Sequence, residues 1–316
     1  MDRIALLEPF VKLLETACPP GVVRKIEAQG DPAPLWDVIE ASGFLDALVP
    51  EDQGGAGLTL ADIAPILMAC GRFAVPLPIA DTIAARALFA MLGEAPPSGA
   101  IALFSGSPVG VAGGGLPGPR THRLRAASGA LHFEPADGGA ARQWTGWGEA
   151  AVVIDTSPAE ACRRLGALVR AAGIAGAATW LLDASAAYAG DRVQFGKPIG
   201  RQQALQQQLA VMAEQVTAAR MSVELGCAAG MPLALAPAAT AKIVTSIAAP
   251  QVAAIAHAVH GAIGISAEHD LQLYTRRLHG WRVDHGAESY WEHRLGAERI
   301  RGGAERSVDW IREAFP

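Results

Sequence analysis

The chain has 316 residues, of which 51% are apolar and only 18% charged, with a formal net charge of −5. That composition suits a folded protein with sizeable cores and excludes extensive disorder. It offers nucleic acid no general attraction, and no Lys/Arg run marks a basic patch. The longest apolar stretches, such as residues 236–249, are interrupted by Lys242, Thr245 and Ser246, so no membrane span is expected. Cys18, Cys70, Cys162 and Cys227 are scattered without C-x-x-C spacing, which reads as free thiols in a reducing cytoplasm. The eight histidines show no metal-ligand spacing, so no metal is expected. The opening Met1-Asp2-Arg3 leads into a mixed apolar and acidic segment, not a secretion signal.

Residues 1–93 carry apolar side chains at three- and four-residue intervals, which predicts helices. Leu6, Leu7, Phe10, Leu13 and Leu14 form one stripe; Leu60, Ile63, Ile66 and Leu67 begin another. Between them, Val49-Pro50-Glu51 and Gly54-Gly55-Ala56-Gly57 predict a loop.

Residues 94–157 are dense in glycine and proline with short alternating stretches, which predicts a small middle β region. Leu124, Ala126 and Leu131, Phe133 flank Ser128-Gly129, a hairpin turn. Val152-Val153-Ile154 reads as a buried strand. Trp144 and Trp147 read as core or edge residues, with flavin stacking as the alternative.

Residues 158–316 return to long helices, predicted over 158–189, 202–229 and 234–261, with shorter ones at 267–278 and 287–301. Leu205, Leu209, Met212, Val216, Ala219 and Val223 trace a face of the second; Val252, Ile255, Ala256, Val259 and Ile263 trace one of the third. Pro250 is expected to kink that third helix. The fold class is mainly α with a small β region: an N-terminal helical domain, a middle β domain and a C-terminal four-helix bundle.

The segment Arg192-Val193-Gln194-Phe195-Gly196-Lys197-Pro198-Ile199, followed by Gln203, resembles the R-x-Q-F-G-x-P-I motif of the acyl-CoA dehydrogenases. Val49-Pro50-Glu51 with the following glycines resembles the family's N-terminal loop. His260-Gly261-Ala262-Ile263-Gly264, then Glu268-His269-Asp270, resembles its glycine-rich turn. The resemblance implies FAD as cofactor, an acyl-CoA substrate and α,β-dehydrogenation of the thioester. It also implies a homodimer or tetramer, or a heterotetramer with a paralogous subunit, and an electron-transfer flavoprotein as acceptor. Arg192, Gln194, Phe195, His260, Gly261 and Gly264 become the cofactor-binding candidates, with Arg192 to Phe195 reaching a neighbouring subunit's FAD. Arginine supplies a fork of donors suited to a pyrophosphate, and phenylalanine a flat apolar face. The alternative for this motif is that Arg192 pairs with Asp191 or a surface carboxylate and Phe195 caps the bundle. The glycines alternatively serve only to end a helix.

The chain departs from the family where the chemistry is done. At the two positions where members carry the catalytic glutamate, it has His285 and Gly166. Ala258 and Ala262 replace a glutamine and a glycine of the glycine-rich segment. Of the middle region's Thr-Glu-Pro-x-x-Gly-Ser-Asp stretch, only Phe104-Ser105-Gly106-Ser107-Pro108 is comparable. Three readings follow. The chain is a subunit whose partner supplies the base, as the Glu268–Arg277 segment suggests by its likeness to bacterial heteromeric enzymes acting on bulky thioesters such as steroid side chains. Alternatively it is self-sufficient, with Asp284 or His285 as catalytic candidates and Glu288 beside them. In the third reading it is a scaffold without flavin.

Overall fold

The computed structural model describes residues 3–105, 121–147, 156–303 and 306–315. Five helices open the chain: α1 (Arg3–Ala17), α2 (Pro20–Glu27), α3 (Ala33–Ala41), α4 (Leu60–Arg72) and α5 (Ile79–Met91). The expected stripes point inward, with Phe10, Leu14, Leu60, Ile63, Ile66 and Leu67 all buried. The glycine-rich loop before α4 contains one short 3-10 turn, Glu51–Gln53. It ends at a capping box, in which Thr59 Oγ accepts from Asp62 N and the Asp62 carboxylate accepts from Thr59 N.

The middle region is a four-stranded sheet in the order β1 (Ile101–Ser105), β2 (His122–Ala127), β3 (Ala130–Glu134), β4 (Arg142–Trp144). Strands β1 and β2 are parallel and the other pairs antiparallel. The expected hairpin joins β2 to β3, with Ser128 and Gly129 both at positive φ (50° and 79°), as a type I′ turn requires. Leu124, Ala126, Leu131 and Phe133 form its buried face. Trp144 packs edge-on against Phe89 and donates its indole N–H to Glu94, so it holds the sheet's edge on α5. Trp147 donates to the Thr156 carbonyl at 2.5 Å. The segment Val152–Ile154, like residues 106–108, lies outside the described residues.

The C-terminal region contains α6 (Pro158–Asp191), a short hairpin of β5 (Val193–Gln194) and β6 (Lys197–Pro198), and α7 (Gln203–Ala228). It continues with α8 (Leu235–His260), α9 (Leu271–Val283), α10 (Glu288–Arg301) and α11 (Ser307–Ala314). Helix α8 is one helix across Pro250. Two expectations need correction. Ile263 lies past the end of α8 and is exposed, because Gly261 (φ 62°, ψ −138°) stops the helix. Helix α9 begins four residues later than its periodicity suggests. Ser266 Oγ accepts from Glu268 N and His269 Nδ1 from Leu271 N, so these side chains hold a turn there.

Helix α6 is the axis of the molecule, touching α4, α5, the sheet, α7, α8 and α9. Helix α6 and the segment Leu235–Ile265 are each long and apolar enough to cross a membrane, which corrects the expectation that no stretch qualifies. In α6, 83% of the apolar window is buried inside the protein; for the second segment the share is 50%. The apolarity of α6 therefore serves mostly, and that of the second segment about half, contact inside the protein. All four cysteines are buried thiols.

Helices α4 and α6 approach to backbone contact. A Cβ at Gly71 would fall under 3.0 Å from the Gly173 carbonyl, and one at Gly176 under 3.0 Å from the Met68 carbonyl. Gly190, on the same helix, faces open space. Gly176→Ala should therefore lower stability by about 3 kcal/mol by forcing the helices apart, while Gly190→Ala raises it by roughly 0.5–1 kcal/mol through helix propensity. Urea unfolding midpoints of the two variants check this opposition.

Candidate functional site

The residues that end α9 form a tight turn, Asp284-His285-Gly286, held from four elements. His285 takes φ 54° and Gly286 φ 95°; the first is a strained choice for a non-glycine residue. The turn persists because its polar groups are matched. Lys242, in the first third of α8 and fully buried, donates from Nζ to the carbonyls of Trp281 (2.6 Å) and Arg282 (2.8 Å), two groups that the end of α9 leaves unpaired. Its third partner is Ser246 Oγ at 3.2 Å. Trp291 of α10 donates Nε1 to the His285 carbonyl at 2.9 Å.

Asp284 does not stand free as a base. Its carboxylate pairs with Nε of Arg170, whose other two nitrogens bind both oxygens of the buried Asp81 on α5, at 2.8 and 3.0 Å. Burial works to raise the Asp284 carboxyl, but Arg170, His285 and Lys242 outweigh it and hold it at about 2. Burial opposes the charge on Arg170, yet Asp81 and Asp284 raise its pKa above the ordinary arginine value. Burial draws Lys242 down to about 7 despite Asp284. Glu288 is occupied by Arg282, which donates Nε at 3.1 Å.

His285 is buried, and its Nε2 lies 3.1 Å from the Leu103 carbonyl on β1. A carbonyl only accepts, so Nε2 carries the hydrogen and Nδ1 the lone pair. That Nδ1 has no hydrogen-bond partner among the described residues. It faces Gly166 of α6, where a Cβ would fall under 3.0 Å from the imidazole. Burial is the main cause that lowers the ring's pKa, to about 4. The imidazole is thus neutral and pressed against the backbone of α6, with no room for a reacting carbon at its lone pair. Positions 166 and 285, far apart in sequence, meet at one place, and that place is full.

Beside this network lies a small cleft of about 30 Å³ between α4, α6 and α9, lined by Leu67, Cys70, Val169, Trp281 and the Asp81–Arg170 pair. It has room for a water molecule or two.

The cofactor-binding candidates gather at the opposite end of the bundle. Arg192 caps α6, and Gln194 and Phe195 form the adjoining hairpin. Phe195 (φ 52°) and Gly196 (φ 76°) make its turn, and Phe195 is 92% exposed. Arg192 and Gln194 are exposed too, and among the described residues Arg192 has no ion pair. Among the described residues, Phe195 is not packed against the bundle and Arg192 makes no ion pair with Asp191.

His260, by contrast, is buried. Its Nδ1–H donates to the Ala256 carbonyl at 2.8 Å, and its ring stacks on Tyr188 of α6 with centroids 4.6 Å apart. Gly264 is buried against His260 and Leu271, while Gly261 is exposed and ends α8. Stacking of Tyr188 on His260 brings the ends of α6 and α8 together. Gly166 and Arg192 are 26 residues apart along α6, roughly 39 Å at 1.5 Å per residue.

Comparison with known proteins agrees with this architecture. Residues 163–299 match the C-terminal domain of acyl-CoA dehydrogenases. The acyl-CoA dehydrogenase IpdE2 of Mycobacterium tuberculosis is 32% identical, over 88% of this chain and 91% of its own. This chain belongs to the acyl-CoA dehydrogenase family. Among solved structures, the ChsE4-ChsE5 complex from Mycobacterium tuberculosis superposes with a TM-score of 0.73 at 19% identity, covering 96% of this chain and 99% of that one. A variant of the Tcur3481-Tcur3483 steroid acyl-CoA dehydrogenase gives 0.77 at 22% identity, with the same coverage. The helical–sheet–helical layout is that of the family, whose members depend on FAD.

Sequence reasoning reached Asp284, His285 and Gly166 but missed Asp81, Arg170 and Lys242. The available signal was a lone charge inside an apolar helix, as in Leu168-Val169-Arg170-Ala171 and Ala241-Lys242-Ile243.

Two measurements follow. An unfolded histidine takes up a proton near 6.5 and His285 resists down to about 4. The unfolded state therefore binds more protons in that window, and stability present above pH 6.5 falls by roughly 3 kcal/mol toward pH 4. Urea unfolding between pH 7 and 4 should show this limb, and His285→Asn should flatten it. Gly166→Ala should destabilise by about 2–3 kcal/mol through collision with the imidazole. Adding His285→Ala should recover some of that loss, a coupling read by a double-mutant cycle.

Proposed function

We infer that this chain is one subunit of a heteromeric, FAD-dependent acyl-CoA dehydrogenase, and that a paralogous partner supplies the base that takes the α proton of the thioester. One observation carries the reading: the two places where a carboxylate is expected coincide, and a buried, neutral imidazole fills them. General-base catalysis needs a lone pair within reach of the proton and a pKa near the working pH. His285 has neither, and Asp284 is held ionised by Arg170.

The hairpin at the end of α6 fits a role toward the partner's cofactor. Arg192 offers a guanidinium without an ion pair among the described residues and suited to phosphate oxygens, Gln194 an amide, and Phe195 an exposed ring on a strained turn. Val193, Ile263 and Ile265 add exposed apolar surface at the same end of the bundle, as a subunit contact would require. With the hairpin roughly 39 Å from this chain's own turn, the same flavin could not readily meet both. FAD, when bound, supplies the acceptor for the β hydrogen; this chain's residues bind it and shield it from water. Likeness to the ChsE4-ChsE5 and Tcur3481-Tcur3483 assemblies supports a partnered enzyme and a bulky acyl group, of which a steroid side chain is the leading case. An electron-transfer flavoprotein fits as the acceptor.

Visible absorption spectra of the chain purified alone, and after co-expression with its paralogue, test the proposal. Flavin bands bleached by acyl-CoA only in the co-expressed sample are expected. Arg192→Ala in that complex should weaken flavin retention at least about tenfold, the value of one or more charge-assisted hydrogen bonds. Bleaching by the lone chain would overturn the reading in favour of a self-sufficient enzyme. A complex without flavin would leave the chain as a scaffold.

A further inference from the structure

Lys242 is the one lysine in the buried polar set among the described residues, and nothing in the proposed chemistry uses it. A lysine withdrawn from water costs several kcal/mol unless its donors are matched. Here all three are: two main-chain carbonyls at the negative end of α9 and the Ser246 hydroxyl. Those carbonyls immediately precede Asp284. The next residues bind Arg170 of α6, the Leu103 carbonyl of β1 and Trp291 of α10. An apolar residue at 242 would leave both carbonyls buried and unpaired, and α9 would find a different exit.

We propose that Lys242 is a positioning residue: its ammonium sets where α9 ends, and thereby seats the Asp284–Gly286 turn and docks His285 on the edge of the sheet. It acts through the main chain and touches no expected substrate or cofactor. The turn it seats joins the bundle to the sheet through His285 and, by way of Asp284 and Arg170, to Asp81 of the N-terminal helices. The inference depends on the geometry of this turn and goes beyond the partner reading, so each can fail alone.

The test is amide hydrogen exchange on the lone chain at pH 6, with Lys242→Met and Lys242→Ala. Both variants should raise exchange in residues 282–287 and at the β1 strand by at least about tenfold, with helices α1 to α3 unchanged. Propylammonium, which restores the atoms lost in Lys242→Ala, should saturably reverse the effect; 1-propanol should not. If Lys242→Ala refolds only with propylammonium present, the proposal stands equally. Unchanged exchange in the turn, a rise spread evenly over the chain, equal rescue by propanol, or refolding that propylammonium does not improve would each overturn it.

Discussion

Two buried cations, a buried carboxylate and the half-buried Asp284 meet around the turn Asp284–Gly286. Arg170 lies between Asp81 and Asp284, and Lys242 lies against the carbonyls that precede Asp284. No member of this set can be removed without leaving a buried charge or carbonyl unmatched, which is far more costly than the set is stabilising. Its members come from α5, α6, α8 and the end of α9, so the helices must meet at one relative placement for the groups to be satisfied. Apolar packing alone would tolerate several placements; the polar set selects one.

The glycines of the α4–α6 seam make that placement reachable. Gly71 and Gly176 let two helices touch backbone to backbone, and Gly173 admits the Trp281 ring beside them. The approach of α5 and α6 then puts the Asp81 carboxylate on the Arg170 guanidinium. Gly166 acts likewise further along α6, where its missing side chain admits the imidazole of His285. Among the described residues, the space next to Gly166 is occupied by the aromatic ring of His285. The cleft lined by Asp81, Arg170 and Trp281 has room for a water molecule or two.

At the far end of α6 the chain behaves in the opposite way. There the polar and aromatic groups are presented outward, with a strained turn at Phe195 and an arginine left without a partner among the described residues. A strained backbone turn of this kind is held at a cost to the isolated chain. Among the described residues, one end of the axis carries buried, mutually paired groups and the other presents its motif outward.

Much of this was legible in the residues alone. Periodicity located α6, α7, α8 and α10 to within about two residues, because a helix's buried stripe is written locally. Ser128-Gly129 announced its hairpin for the same reason, and the Arg192–Ile199 segment announced the family. The start of α9 was not legible, since Ser266 and His269 override its periodicity with their own hydrogen bonds. Nor was the contact of Gly166 with His285, 119 positions away. A missing carboxylate can be read from a sequence; that two distant substitutions fill one space cannot. The sequence determined which helices form and which motif they carry, because those depend on neighbours along the chain. Only the tertiary structure decided that Asp81, Arg170 and Lys242 converge on one turn, because burial and pairing depend on neighbours in space.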